Sequence, residues 1–246
     1  MDRVLFQMPD DPREFFMSMS VVQAYVYDYL RGIAGGTRHK DYQFVYRLNE
    51  KYSKFEPPLK VAADNFPIYD YSGWKVFSRS EFQCFIDFDF NRAMGIALSS
   101  GVSIIDSLGV LYGCKPRKWP ILPPPKCTQG KGIIIVDWDH IESARFQTDL
   151  GDRNSHIVDA DSDVLELEVE TAEAVIGPVS AITYLAAAYN KRVIEIFPDQ
   201  DTYFLYNNDG LYSYQPIIGH PKSDDVFQAW SVLEQESEYA QQILGA

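Results

Sequence analysis

The chain predicts an α/β protein of two halves facing across a cleft. Three observations carry this. A short apolar run, Val4 to Met8, is followed by Pro9-Asp10-Asp11-Pro12 and then a long amphipathic stretch, the order strand, loop, helix. A second beginning of the same kind stands at Gly132 to Trp138, and further on Thr171 to Pro198 reads as strand, tight turn, small-residue helix and strand. Between them, Lys115 to Gly130 holds five prolines and no hydrophobic period, the composition of an extended, semi-rigid linker. The expected organisation is a first domain over 1–114, a linker over 115–130 and a second domain over 131–246.

In the first half, Val4 to Met8 is a buried strand. Asp11 caps a helix that opens at Pro12 or Arg13 and runs to about Arg31, with Phe15, Phe16, Met19, Val22 and Val26 on its apolar face. Gly32 or the Gly35-Gly36 pair ends it. Tyr42 to Arg47 is a second strand, and Val61 to Tyr71 has no clear pattern. Phe82 to Phe90 alternates as a strand, with Asp87 and Asp89 on one face. Arg92 to Leu111 is a helix or helix pair, broken near Gly101 and ended by Gly113.

The second half opens on Gly132 to Trp138, whose β-branched run marks a strand buried on both faces of a parallel sheet. Ser155 to Ala160 is a short strand, Asp163 to Thr171 an acidic helix, and Tyr203 to Gly219 an irregular aromatic stretch. Ser223-Asp224-Asp225 caps a final helix through about Leu244. In between, Gly177, Pro178 and Ser180 lead into a helix whose first-turn amides suit a phosphate.

The 246 residues suffice for a large core, and 46% hydrophobic with 23% charged is ordinary for a globular chain. Aromatics reach 14%, with some of the tyrosines expected at half-wet surfaces. A net charge of −13 argues against a protein that wraps free nucleic acid, though not against a local basic patch. Two groups of cations stand out, Arg31, Arg38, His39 and Lys40, and Lys115, Arg117, Lys118, Lys126 and Lys131; solvated surface charge accounts for either. Cys84, Cys114 and Cys127 have no metal spacing and cannot all pair, which fits a reducing compartment, and Cys84 is expected in the core. MDRVLFQMPDD lacks the apolar core of a leader, and no apolar run is long enough to span a membrane. The expected location is cytoplasmic, with no transmembrane segment.

Ligands of open α/β sheets bind at the carboxyl ends of strands, so Pro9–Pro12 and Gly177–Ser180 are the expected walls of the cleft. Asp10, Asp11 and Glu14 at the first wall either complement the helix dipole or supply a general base. Arg145 is a candidate to neutralise phosphate. Asp87/Asp89 and Asp137/Asp139 have the D-x-D spacing of a metal-held diphosphate, but strand alternation produces the same spacing, and no metal is expected. His140 and His156 stand alone.

The run AEAVIGPVSAITYLAAAYNKRVIEIF, Ala172 to Phe197, resembles the donor-binding segment of GT-B glycosyltransferases, most closely the ADP-heptose (lipopolysaccharide heptosyl) transferase family. That family carries AD-x-VVG-N-D-S-G-P-x-H-L-A-A-A-x-G-K-P-V-I-x-L-F. Gly177, Ser180, Leu185, Ala186, Ala187 and Ala188 match in place. Val179 stands where the family has Asp, Ala181 where it has Gly, and Tyr184 where it has His. The first half is fainter: Glu14 falls on the acid of the family's G-D-x-x-x-x-x-P-A-L.

The resemblance implies a compact, shortened GT-B-like pair of Rossmann-like halves. It implies a sugar passed from a nucleotide-sugar donor to a hydroxyl acceptor in one metal-independent inverting step. Glu14, Asp10 or Asp11 would be the base, and Gly177, Pro178, Ser180, Ala181, Thr183, Tyr184 and Arg145 would hold the donor. The nucleotide sugar is a co-substrate and no cofactor is expected. The acceptor would be a glycan or lipid core, or a hydroxymethylated DNA base read by stacked aromatics. Two other readings share the fold: a sugar-nucleotide epimerase or hydrolase, and a binding protein that has lost the chemistry. No motif speaks to the oligomeric state.

Overall fold

A computed structural model describes residues 2–33, 42–55, 68–70, 84–122, 132–165, 167–206 and 213–244. Arg38, His39, Lys40, Lys126, Cys127, Lys131 and the Gly35-Gly36 pair lie outside the described residues. The chain divides into two units, Met1–Pro123 and Pro124–Ala246.

In the first unit, strands β1 (Asp2–Gln7), β2 (Tyr42–Arg47), β3 (Ile68–Asp70) and β4 (Cys84–Asp87) form a parallel sheet in the order β3-β2-β1-β4. Helix α1 (Pro12–Ile33) follows β1. Its expected apolar face is the core: Phe15, Phe16, Met19, Val22 and Val26 are all buried. A 3₁₀ turn, Glu50–Phe55, lays Tyr52 flat on Phe15 with ring centroids 3.8 Å apart and Phe55 edge-on to Phe16 at 5.0 Å. Tyr46 and Tyr52 belong to the core, whereas Tyr27 is exposed.

The expected Phe82–Phe90 strand is cut short. Asp89 accepts the Arg92 amide at 2.9 Å and opens α2 (Phe90–Ser100), so Phe90 is the first residue of a helix. The Gly101 break is real: Gly101 and Gly113 close α2 and α3 (Ile104–Tyr112) in the left-handed conformation at φ 66° and 68°. Cys84 is half-buried rather than core, with its sulfur 4.0 Å from the Tyr25 hydroxyl. Lys115 to Leu122 return along this unit, where the Gln23 side chain takes both the amide and the carbonyl of Ile121.

The second unit holds a five-stranded parallel sheet in the order β6-β5-β7-β8-β9. Its strands are β5 (Ile133–Val136), β6 (Ser155–Val158), β7 (Ala174–Pro178), β8 (Arg192–Phe197) and β9 (Tyr214–Ile218). Helices α4 (His140–Asp149) and α7 (Ser223–Leu244) cover one face, and α5 (Ala181–Ala188) packs on β7 and β8 from the other. On the α4/α7 face, Ile133, Ile135, Ala174, Ile176, Ile194 and Ile196 meet Phe146, Leu150, Val226, Trp230 and Leu233 in one buried cluster. A short α6 (Gln200–Tyr206) follows β8, its Thr202 amide held by Asp199 at 2.7 Å.

Four expectations for this unit change. Helix α4 has no counterpart in the sequence reading, because HIESARFQTD buries only Ser143 and Phe146 and shows too narrow an apolar stripe. Asp163–Thr171 is not an α-helix: its described residues outside a 3₁₀ turn at Val169–Thr171 are turn, bend and irregular backbone. Its glutamates alternate with Leu165, Leu167 and Val169, a two-residue period that gives a helix no apolar stripe. The stretch Tyr203–Gly219 contains β9, where Pro216 is tolerated because the strand is at the sheet edge. The last helix begins at Ser223, and Asp225 reaches back to accept the Lys222 amide at 2.9 Å. Among the described residues, no single helix is long and apolar enough to cross a membrane.

Candidate functional site

In the second sheet the strand order turns between β5 and β7: chain connections lead outward to β6 on one side and to β8 and β9 on the other. The carboxyl ends of the strands beside such a switch point leave a crevice, because the helices that follow depart to opposite faces. Here the crevice is a cavity of about 490 Å³. Trp138, Asp139 and Glu142 come to it from the end of β5 and the start of α4. Pro178 and Val179 close β7, Ile196 and Pro198 end β8, and Gly219, His220, Pro221 and Lys222 join β9 to α7.

The crevice depends on local sequence. Gly177 has φ 153°, and a Cβ there would lie 2.5 Å from both the Cβ and the carbonyl oxygen of Val136. Only glycine lets the end of β7 lie this close to β5 before Pro178 and Val179 turn over the mouth. Gly219, at φ 105°, turns the chain out of β9, and the Trp138 indole N–H reaches the Pro221 carbonyl at 3.4 Å. Trp138 also stands edge-on to Phe146, with centroids 6.0 Å apart, so the wall is anchored in the core.

The carboxylates of the cavity already have work. Asp139 accepts the amides of Ile141 at 3.1 Å and Glu142 at 3.2 Å, capping α4. Glu142 accepts the Ser223 amide at 2.7 Å, tying the start of α4 to that of α7. Asp137, one residue below Trp138, has Oδ2 3.7 Å from His140 Nδ1 and a buried Oδ1 without a hydrogen-bond partner. The basic side chains on the cavity are Lys222 and His220. Among the described residues, no group of three or more His, Cys, Asp or Glu is arranged to hold a metal ion.

The opposite face of the same strand ends is closed. Ser180 caps α5 in a reciprocal box: its hydroxyl accepts the Thr183 amide at 3.3 Å, and its own amide donates to Thr183 Oγ1 at 3.0 Å. Thr183 Oγ1 then lies 2.8 Å from Oε1 of Glu195, a carboxylate only 1% exposed, whose Oε2 accepts the Tyr214 hydroxyl at 2.9 Å. Glu195 had no part in the sequence reading, although a lone carboxylate inside RVIEIF is the signal that would have found it.

The residues named from sequence for the donor fall on both sides of this divide. Pro178 lines the cavity, and Gly177 permits its shape. Ser180, Thr183 and Tyr184 are buried in and under the α5 cap, and Ala181 is half-buried beside them. Arg145 is exposed on α4, with its guanidinium 3.1 Å from Asp224. Trp138, Glu142, His220 and Lys222 were missed as cavity residues because they are scattered along the chain and share no motif.

In the first unit, Asp10, Asp11 and Glu14 follow β1, beside its neighbour β4. Asp11 Oδ1 accepts the Glu14 amide at 2.9 Å, the expected cap of α1, and the Tyr52 hydroxyl holds the Asp10 carbonyl at 2.7 Å. Partial burial, and then the Asp11 charge beside it, push the Glu14 carboxyl above its ordinary value, the direction that suits a general base. At the end of β4, the Tyr112 hydroxyl bridges the Asp87 carbonyl at 2.7 Å and the Asp89 amide at 2.9 Å.

No family model matches this sequence, and no curated protein matches it. Solved structures do match. The ADP-heptose lps heptosyltransferase II of E. coli superposes with a TM-score of 0.62 at 11% identity, over 97% of this chain and 100% of that one. The E. coli heptosyltransferase WaaC with ADP gives 0.56 at 11% identity, over 94% and 99%. A family 9 glycosyl transferase from Veillonella parvula gives 0.56 at 10% identity, over 96% and 97%. Identities this low speak for architecture, and over nearly its whole length the chain has the fold of these heptosyltransferases, as the Ala172–Phe197 segment led one to expect.

Proposed function

We propose that this protein is a glycosyltransferase that takes a sugar from a nucleotide-sugar donor, and that the donor binds in the cavity at the β5/β7 switch point. The observation that supports this most is the cavity itself. It opens where open α/β sheets take ligands, in a fold shared with a heptosyltransferase described with ADP. Trp138, Pro178, Val179, Ile196 and Pro198 offer apolar walls to a nucleoside, and Lys222 and His220 offer polar ends.

The transfer is a single inverting displacement. Glu14 accepts the proton of the acceptor hydroxyl, whose oxygen attacks the anomeric carbon as the nucleoside diphosphate leaves. Burial, and then the Asp11 charge, raise the pKa of Glu14, and Asp10 and Asp11 are the alternative bases. The leaving charge is met by protein groups, with no metal required. The acceptor is a glycan or its lipid core, and the protein works in the cytoplasm.

Thermal shift with a panel of nucleoside diphosphates and nucleotide sugars tests the donor reading: at least one must raise Tm. If none does, the reading fails. Removing the base should then lower transfer by about 10²–10⁴-fold in Glu14→Gln without weakening donor binding.

One observation favours a second reading, a donor-binding protein without transferase chemistry. Tyr184, where the resembled family has a histidine, is 3% exposed and does not line the cavity. Binding of a nucleotide sugar with neither transfer nor hydrolysis would decide for that reading.

A further inference from the structure

We propose that Lys222, assisted by His220, supplies the positive charge that holds the donor's diphosphate; this rests on the cavity being the donor site. The starting point is a conflict of charge. A diphosphate entering the cavity meets Asp139 and Glu142 on its walls and Asp225 just behind Lys222. The helix amides that commonly cradle phosphate are taken by those same carboxylates. Asp139 holds the amides of Ile141 and Glu142, Asp225 holds that of Lys222, and Glu142 holds that of Ser223. The starts of α4 and α7 are therefore capped by anions, and their backbone has little left to offer a ligand.

A cation has to offset this, and few are available. Among the described residues of the second unit, Arg153 is bound to Glu173 and Glu234, Arg192 to Glu173, and Arg145 to Asp224, while Lys191 stands just before β8, at the end of the strands away from the cavity. Lys222 has no acidic partner within ion-pair distance among the described residues, and it lies on the cavity. Its backbone is pinned on every side: its own amide to Asp225, the next amide to Glu142, and the preceding carbonyl to the Trp138 indole. A cation on so fixed a loop needs little reorganisation when the ligand arrives.

The chemistry follows. As the anomeric C–O bond breaks, its electron pair goes to the terminal phosphate oxygen and the acceptor oxygen forms the new bond to carbon. The Lys222 ammonium stabilises the growing negative charge, while an imidazole N–H of His220 donates a hydrogen bond to the same group.

The test is calorimetric titration of ADP, UDP, GDP and CDP, and of their parent nucleosides, into wild type, Lys222→Gln, Lys222→Arg, His220→Gln and Arg145→Gln. Each variant is first checked for its folding transition. For the best diphosphate, Lys222→Gln should lose about 10-fold in affinity and flatten the salt dependence, with Lys222→Arg retaining most of it. The parent nucleoside should bind wild type and Lys222→Gln alike. Equal losses for nucleoside and diphosphate would reduce Lys222 to a loop residue and overturn the proposal. A selective loss in Arg145→Gln, with Lys222→Gln unaffected, would overturn it in favour of Arg145 and leave the donor reading intact. If wild type binds no diphosphate, the donor reading fails first and this proposal with it.

Discussion

The two faces of the second sheet meet at one carboxyl edge and end in opposite ways. On the α5 face every polar group turns inward: Ser180 and Thr183 satisfy each other, and Thr183 and Tyr214 satisfy Glu195. On the α4/α7 face the polar groups surround a 490 Å³ opening. The segment that most resembles a donor motif leads into the closed face, while the opening is assembled from four stretches distant in sequence. A motif thus identifies the fold more securely than it identifies the atoms that touch a ligand. Ser180 and Thr183 are where a phosphate cradle should be, yet their hydrogen bonds are used to build the helix start.

The sharpest way to break this contrast is at the residue both faces depend on. Gly177→Ala puts a methyl 2.5 Å from the Val136 backbone oxygen at a φ that side chains rarely adopt. The expected cost is about 4 kcal/mol, combining overpacking and backbone strain. Denaturant unfolding would show it, and nucleotide-induced Tm shifts should vanish as the mouth deforms. A variant of wild-type stability would mean that β5 and β7 separate easily and that the crevice is not fixed by their approach.

Next in size, Glu195→Ala removes the buried carboxylate that accepts the Thr183 and Tyr214 hydroxyls and leaves a hole in the core, which should cost about 3 kcal/mol, with Glu195→Gln costing about 1 kcal/mol because the amide oxygen still accepts one of them. Both should leave nucleotide affinity unchanged once folded. A selective loss of diphosphate affinity in Glu195→Gln would show that the two faces are coupled and that the closed network shapes the site.

How much of this was legible in the sequence follows from how each element is stabilised. Elements held by strong local patterns stood out: the β-branched run of β5, the apolar face of α1 and the Gly101 and Gly113 helix ends. Helix α4 did not, because it is held by two buried residues and a cap, although Asp139 and Glu142 three apart are the sequence form of that cap. Strand β9 carries a proline that only an edge position explains, and edge positions are set by the whole sheet. The cavity was legible along the Gly177–Ser180 wall, at Pro178 and Val179, and at Asp139 of the D-x-D pair, but not along the β9–α7 loop. His220 and Lys222 become site residues only when β9 is laid beside β8.

The smallest effect extends the contrast to carboxylates. Glu195 is buried with its oxygens satisfied by hydroxyl donors, whereas Glu14 is partly buried beside a like charge. Because burial and Asp11 raise its folded pKa, folded Glu14 holds its proton more tightly than the unfolded chain does. The folded state is then favoured below the unfolded value of about 4.5 and loses that advantage as pH rises through the folded pKa. Glu14→Gln removes the charge that causes the loss. Its Tm should therefore exceed that of wild type by a small margin at pH 7, and the margin should disappear near pH 4. A Tm difference that stays constant between those values would mean that Glu14 titrates normally. It would then have no raised pKa to recommend it as a base over Asp10 or Asp11, and the choice among the three would fall to their separate effects on transfer.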